Sequence, residues 1–281
     1  MLALSLLVVL AAAPVPVVSA PHPTHALQVE VGRDLAITGA SAGLWLTLEL
    51  LKPQLAPKEC RWCDRAPGGG AGLNPFDRLG YEQLKWENTQ TAGQLSDLGA
   101  YVVLPLGMAG GGALLAHTAG AARDIPENLL IVAQTTALAG LMNQTVKFLV
   151  GRQRPYALRG TDAQAVTNHR SDSNLSFYSG HTNLAFVLAT SMGTVAELRG
   201  YQHRWLIWAV GLPLAASVGW MRVAADRHHL TDVVVGAVMG AAFGVAVPLL
   251  LHPRLPDEPT DDAQPLRMSA VPGMFSISGT F

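Results

Sequence analysis

Six apolar segments dominate this chain, and their lengths decide what it can fold into. They run over Leu35–Leu51, Leu98–Ala121, Glu127–Leu149, Thr182–Leu198, Trp205–Met221 and Leu230–Leu251. A helix of about 20 residues, within a range of about 17–25, crosses the hydrocarbon core of a bilayer. All six segments fit that range. Trp205–Met221 carries no charge, and Leu230–Leu251 carries only Asp232, near its start. A soluble amphipathic helix would show a charged stripe at helical spacing, and these segments lack one. They are rich instead in small residues, as in Met108–Ala113 and Gly236–Gly240. Such residues let helices approach closely inside lipid.

Composition supports the same reading. Charged residues make up 14% of the 281 residues, against roughly 25% in an ordinary soluble domain. An apolar share of 49% excludes a disordered chain. A soluble all-α core would need many polar helices around six buried ones, and the sequence does not supply them. The net charge is −1 without a basic block, so nucleic acid is not an expected partner. The expected fold class is therefore all-α, an integral membrane bundle of six transmembrane helices over residues 33–252.

The flanks are less constrained. Residues 1–20 form a further apolar stretch ending Val18-Ser-Ala20, a small-residue pattern typical of signal-peptide cleavage. No Lys or Arg precedes it and Pro21 follows, so it reads equally as a retained N-terminal anchor. Residues 52–96 read as a polar loop containing Cys60-Arg-Trp-Cys63. Two cysteines cannot make a disulfide-rich scaffold, and a zinc site would want two further ligands nearby. A structural disulfide between Cys60 and Cys63, on an oxidising face, is the preferred reading, with a bare thiol pair second. The tail over 253–281 is rich in Pro and Asp, and its last residues alternate like a short strand. There is no internal repeat.

Polar residues gather at segment ends. Lys147 closes the third segment and Arg154-Pro155 follows seven positions later. Were the helix to continue, the two cations would share a face, although Pro155 biases Arg154 away from helix. Ser179-Gly180-His181 opens the fourth segment, where helix-start amides favour an anion. Arg222, His228 and Asp232 lie between the fifth and sixth. His228 and Asp232 are spaced i,i+4, so on a helix the carboxylate would reach the ring. That contact would fix the tautomer and leave the other nitrogen as a nucleophile. Taken singly, each feature has a structural explanation. Lys147 and Arg154 would snorkel to headgroups, Ser179 would cap a helix, and His228 with Asp232 would form an ordinary pair. Together, three cations, two histidines and an acid at one membrane face make an oxyanion site: charge to neutralise a phosphate, one imidazole to attack and one to protonate.

Lys147-x6-Arg154-Pro155, Ser179-Gly180-His181 and Arg222-x5-His228-x3-Asp232 resemble the three-part signature of the type 2 phosphatidic acid phosphatase superfamily, which includes vanadium haloperoxidases and bacterial class A acid phosphatases. Tyr178 stands where that family usually has proline, and Met221 where it usually has serine. The resemblance implies that His228 attacks phosphorus to form a phosphohistidine, held by Asp232. It implies that His181 protonates the leaving oxygen and later deprotonates water. Lys147, Arg154, Ser179, Gly180 and Arg222 would hold the phosphoryl oxygens. It further implies a phosphatase that needs no metal or other cofactor, is inhibited by vanadate, and acts on a phospholipid or polyprenyl phosphate (monoester or diphosphate) in the bilayer. His229 fits neither spacing and reads as a helix-start or headgroup residue. In bacterial relatives the site faces outward, which implies an inner-membrane protein with a periplasmic site. A retained first segment with its amine outside satisfies that sidedness, whereas a cleaved signal would place the site inside. The alternatives are phosphoryl transfer to an acceptor other than water, and a non-catalytic lipid binder or transporter. A transporter would place its charges near the bilayer midplane, not at segment ends.

Overall fold

The computed structural model describes residues 24–160 and 170–256, together with the strands Arg267–Val271 and Met274–Ser278. The signal or anchor expected at residues 1–20 lies outside the described residues. Six long helices correspond to the six apolar segments: α1 (Val31–Leu50), α2 (Thr89–Thr118), α3 (Ile125–Val150), α4 (Gly180–Arg199), α5 (Trp205–Ala224) and α6 (Leu230–Leu251). Four of them, α2, α3, α5 and α6, are long and apolar enough to cross a membrane. Their outer faces leave Leu106, Leu114, Val210, Val238 and Leu250 uncovered, as expected of an integral membrane protein whose helices are solvated by lipid.

The other two helices are less apolar for physical reasons. In α4, 15 of 20 residues are buried, because α3, α5 and α6 pack around it. Protein rather than lipid surrounds it, so it tolerates hydroxyls. Thr190 and Thr194 donate to the carbonyls of Phe186 and Thr190, each at 2.7 Å. Helix α1 lies against α3 and opens on Glu30, Arg33 and a fully buried Asp34.

A glycine stripe sets how α6 meets α4. A Cβ on Gly236 would stand 2.8 Å from the Ser179 carbonyl. On Gly240 it would strike the Asn183 carbonyl, and on Gly244 the Thr190 hydroxyl. The missing side chains allow backbone contact, and the register that results places the start of α6 beside the start of α4. There the Ser179 N–H donates to the Asp232 carbonyl at 3.0 Å.

Several boundaries differ from expectation. Helix α2 begins at Thr89 rather than Leu98, because the Asn88 side chain caps it by accepting from the Thr91 N–H at 3.0 Å. It then runs through a π-turn at Gly99–Val103. The stretch 52–96 also holds short helices at Lys52–Leu55 and Pro75–Leu84, the second capped by Asn74. Neither has an apolar run long enough to announce itself. Helix α3 stops at Val150, where Gly151 turns left-handed at φ 60°. Lys147 and Arg154 therefore do not share a helix face, and Arg154 reaches the site from the following loop. The all-α description also ends before the tail, where the two strands pair antiparallel from Arg267 with Ser278 to Val271 with Met274.

Gly240→Val is expected to lower stability by about 1–3 kcal/mol through overpacking, seen as a reduced Tm in detergent. Gly39→Ala, on α1 with nothing within 4 Å of its Cβ position, is the control and should leave Tm unchanged or slightly raised.

Candidate active site

The ends of α3, α5 and α1 and the starts of α4 and α6 meet around a cavity of about 490 Å³. Lys147, Arg154, Gly180, His181, Arg222 and His228 all line it. Three parts of the sequence, the last separated from the others by two whole helices, thus converge on one space. Gly180 leaves room there, since a Cβ would stand 3.0 Å from both the Lys147 Nζ and the Asn143 Oδ1. Two expected site residues sit behind the wall. Ser179 is fully buried and caps α4, accepting from the Thr182 hydroxyl at 2.9 Å. Asp232 is fully buried beneath His228.

His228 is 2% exposed, and its partners define its tautomer. Its Nδ1 lies 2.8 Å from the Ser176 carbonyl, which only accepts. Its Nε2 lies 3.1 Å from an Arg154 guanidinium nitrogen, which only donates. The proton is therefore on Nδ1, and the Nε2 lone pair accepts from Arg154 at the wall of the cavity. Burial pushes the His228 pKa well below its ordinary value, and the Arg154, Arg222 and Lys147 cations push the same way. The ring is a neutral base at physiological pH.

The expected contact between Asp232 and the ring is corrected. The carboxylate is 3.7 Å from Nδ1, too far for a hydrogen bond. Helix α6 starts only at Leu230, so His228 precedes the helix and the i,i+4 geometry does not apply. Asp232 instead accepts from the Ser176 hydroxyl at 2.5 Å, the His229 N–H at 3.0 Å and Arg152 at 2.6 Å. It steadies the segment whose carbonyl holds the imidazole. His229 is the N-cap of α6, in a reciprocal capping arrangement with Asp232, and donates from Nε2 to the Gln153 carbonyl at 3.1 Å.

Other participants were invisible in the sequence pattern. Arg152 lies inside the gap between Lys147 and Arg154. It is fully buried and pairs with Asp64 at 2.7 Å, Asp77 at 2.6 Å and Asp232 at 2.6 Å. Its guanidinium also stacks 4.1 Å from the Trp62 ring. Trp62 belongs to a loop closed by a Cys60–Cys63 disulfide, with Cα atoms 5.3 Å apart. That loop is bonded to the end of α3 through the Arg61 N–H to the Gly151 carbonyl and the Gln153 N–H to the Trp62 carbonyl, both at 3.0 Å. Asp172 pairs with Arg154 at 2.6 Å and approaches Lys52 at 3.8 Å. Burial opposes its charge, but Arg154, Lys147 and Lys52 outweigh burial and hold its pKa well below the carboxylate range. Burial likewise disfavours the Arg154 charge, and Asp172 more than offsets it, so Arg154 is held above its ordinary value. Asp97 of α2 meets His181 at 2.7 Å and Arg222 at 3.2 Å. Met221 faces away from this cavity, into an apolar dent with Leu98 and Val218. Tyr178 is buried, and its carbonyl accepts from Asn143 at 2.9 Å. Among the described residues, no group of three or more His, Cys, Asp or Glu is arranged to hold a metal ion.

Three cations and two imidazoles thus line one cavity on a helical bundle four of whose helices are long and apolar enough to cross a membrane. Residues 128–255 match the PAP2 superfamily, and that stretch carries all three parts of the signature. The chain is 29% identical over 156 residues to a probable diacylglycerol pyrophosphate phosphatase of Schizosaccharomyces pombe, covering 46% of this chain and 55% of that protein. It is 35% identical over 83 residues to phospholipid phosphatase 1 of Mus musculus, covering 28% and 29%. The matches thus span about half, or less, of those relatives' lengths. A solved transmembrane PAP2 type phosphatidylglycerolphosphate phosphatase from Bacillus subtilis is similar at a TM-score of 0.44 and 19% identity, over 74% of this chain and 94% of that one.

Removing the Arg152 guanidinium would leave three buried carboxylates without their shared cation. Arg152→Ala is expected to cost about 3–5 kcal/mol, measured as a fall in Tm in detergent. A change under about 1 kcal/mol would show the network to be dispensable.

Proposed function

We propose that this protein is a membrane phosphatase that hydrolyses lipid phosphates through a phosphohistidine. The observation that carries the reading is the unprotonated Nε2 of His228, held against Arg154 at the wall of a cavity that Lys147, Arg154 and Arg222 also line. A tetrahedral phosphoryl group seated among those cations presents its phosphorus to that lone pair. His228 forms a N–P bond as the ester P–O bond breaks, and His181 gives its proton to the departing oxygen. Water, deprotonated by His181, then attacks the phosphorus. The N–P bond breaks, inorganic phosphate leaves, and His228 and His181 return to their starting protonation. The cations neutralise charge that develops on the equatorial oxygens, a contribution of about 10²–10³ in rate per donor.

The cavity also fits a lipid. Ala42, Trp45, Leu46, Leu184 and Val187 also line it, an apolar surface for the remainder of such a substrate. We place all six helices across the bilayer, with Asp232 as the buried brace behind the nucleophile and Ser179 as the cap that aims the Gly180 amide. The Cys60–Cys63 disulfide lies at the same end as the cavity, which supports a site on the oxidising, outward side of the membrane. The residues do not select among phosphatidic acid, phosphatidylglycerol phosphate, polyprenyl diphosphate and lipid A phosphate.

His228→Ala is expected to lower kcat on detergent-solubilised phosphatidic acid by about 10³-fold or more. Radiolabelled phosphate should be trapped on the wild type as an acid-labile, base-stable adduct and be missing from the variant. Turnover retained above about a tenth of wild type would refute the nucleophile assignment. Labelling of Cys60 and Cys63 with an impermeant thiol reagent in intact cells, after mild reduction, reads the sidedness.

A further inference from the structure

We propose that Asp97 is the positioning residue for the imidazole that serves the leaving group. This inference rests on the phosphatase reading above. Asp97 lies outside the three-part signature, on α2, a helix that contributes no signature residue. Its Oδ1 is 2.7 Å from the Nε2 of His181. A carboxylate only accepts, so that nitrogen carries the hydrogen. The other ring nitrogen, Nδ1, is left to exchange a proton with the leaving oxygen and later with water.

The ring is held from a second side as well. Tyr101 follows Asp97 along α2 and meets the His181 ring edge-on, with centroids 4.9 Å apart. Tyr101 lies within the π-turn Gly99–Val103, and such widened turns often accompany functional sites. Gly99 lets this part of α2 press against α5, since a Cβ there would stand 2.8 Å from Val218. The same carboxylate oxygen accepts from Arg222 at 3.2 Å, and the adjacent Ser96 hydroxyl accepts from Arg222 at 3.0 Å. Asp97 thereby joins a phosphate-binding cation to the proton-transfer ring. A carboxylate against an imidazole fixes its orientation and which nitrogen carries the hydrogen.

A purely structural role fits poorly. The Asp97 side chain is 55% exposed, and ion pairs at exposed carboxylates add little to stability. The consequence of the contact falls on proton transfer. That step matters for an alkyl phosphate, whose alkoxide departs only with a proton. It matters little for an aryl phosphate with an acidic phenol, whose phenolate departs unaided.

The test compares kcat/KM of the full-length wild type and Asp97→Asn on phosphatidic acid and on p-nitrophenyl phosphate, in the same detergent. For phosphatidic acid the variant is expected to lose about 10²-fold, and for p-nitrophenyl phosphate less than about fivefold. Inhibition by vanadate should stay near the wild-type value, and Asp97→Glu should recover most of the lost ratio. Equal losses on both esters, or a loss confined to KM and vanadate affinity, would assign Asp97 to phosphate binding and overturn the proposal. Failure of Asp97→Asn to fold would overturn it too, by making the residue a structural one. A wild type that cleaves neither ester would remove the phosphatase reading, and this inference with it.

Discussion

The Arg152 guanidinium has no solvent-exposed surface, and three carboxylates from three parts of the chain close on it. Everything at the catalytic end depends on that arrangement. Asp64 comes from the disulfide loop, Asp77 from the helix Pro75–Leu84, and Asp232 from the first turn of α6. Thr231 completes the cluster by donating to Asp77 and accepting from Arg152. A lone guanidinium buried this deeply would be strongly destabilising, and so would the carboxylates without it. Each group is tolerable only because the others are in place. The consequence for chemistry runs through Asp232, which fixes Ser176, whose carbonyl fixes the proton on His228.

The same electrostatic constraint explains the counter-ions inside the cavity. Lys147, Arg154 and Arg222 line one cavity. Among themselves they repel, and burial weakens the water that would screen them. Asp172 answers Arg154, and Asp97 answers Arg222. The cradle thus stands ready without the full cost of three unpaired buried charges. Burial first, and the cations after it, keep His228 neutral, the form that the proposed attack requires.

Much of this was legible because it is local in sequence. Helix existence follows from apolar runs, and the signature residues lie in three short clusters. Tertiary convergence was not legible. Arg152, Asp77, Asp97 and Asp172 carry no spacing pattern relative to the groups they contact, since they come from the segments around α3, from the helix Pro75–Leu84 and from α2. The His228–Asp232 pair misled for a related reason. The i,i+4 rule holds inside a helix, and His228 stands just before one, so the carboxylate swings to the backbone and to Ser176. Likewise the spacing of Lys147 and Arg154 suggested a shared helix face, while Gly151 in a left-handed turn breaks the helix between them. The hidden start of α2 has its own cause. Thr89–Leu98 is amphipathic and polar on one side, so it has no hydropathy signal, and its polar side is the one that brings Ser96 and Asp97 to the site.

The opposite end of the bundle shows why the catalytic end can be so polar without loosening the fold. There His252 at the end of α6 bonds Gln134 of α3 at 2.6 Å and the Gln28 carbonyl at 3.0 Å, beside buried Asp34 of α1. Arg199 at the end of α4 bonds Asn128 of α3 at 2.9 Å and Glu127 at 2.6 Å, and Asn128 in turn donates to Tyr201. Between these two polar ends, α4 and α6 touch through glycine and small hydroxyl residues, with little side-chain volume to rearrange. Hydrogen bonds among buried groups are directional and costly to leave unmade, so a sliding motion of α6 along α4 would break both ends at once. The position of His228 against His181 is therefore fixed by the length of the bundle as a whole, and the loops that carry the signature need only bridge helices already held in register.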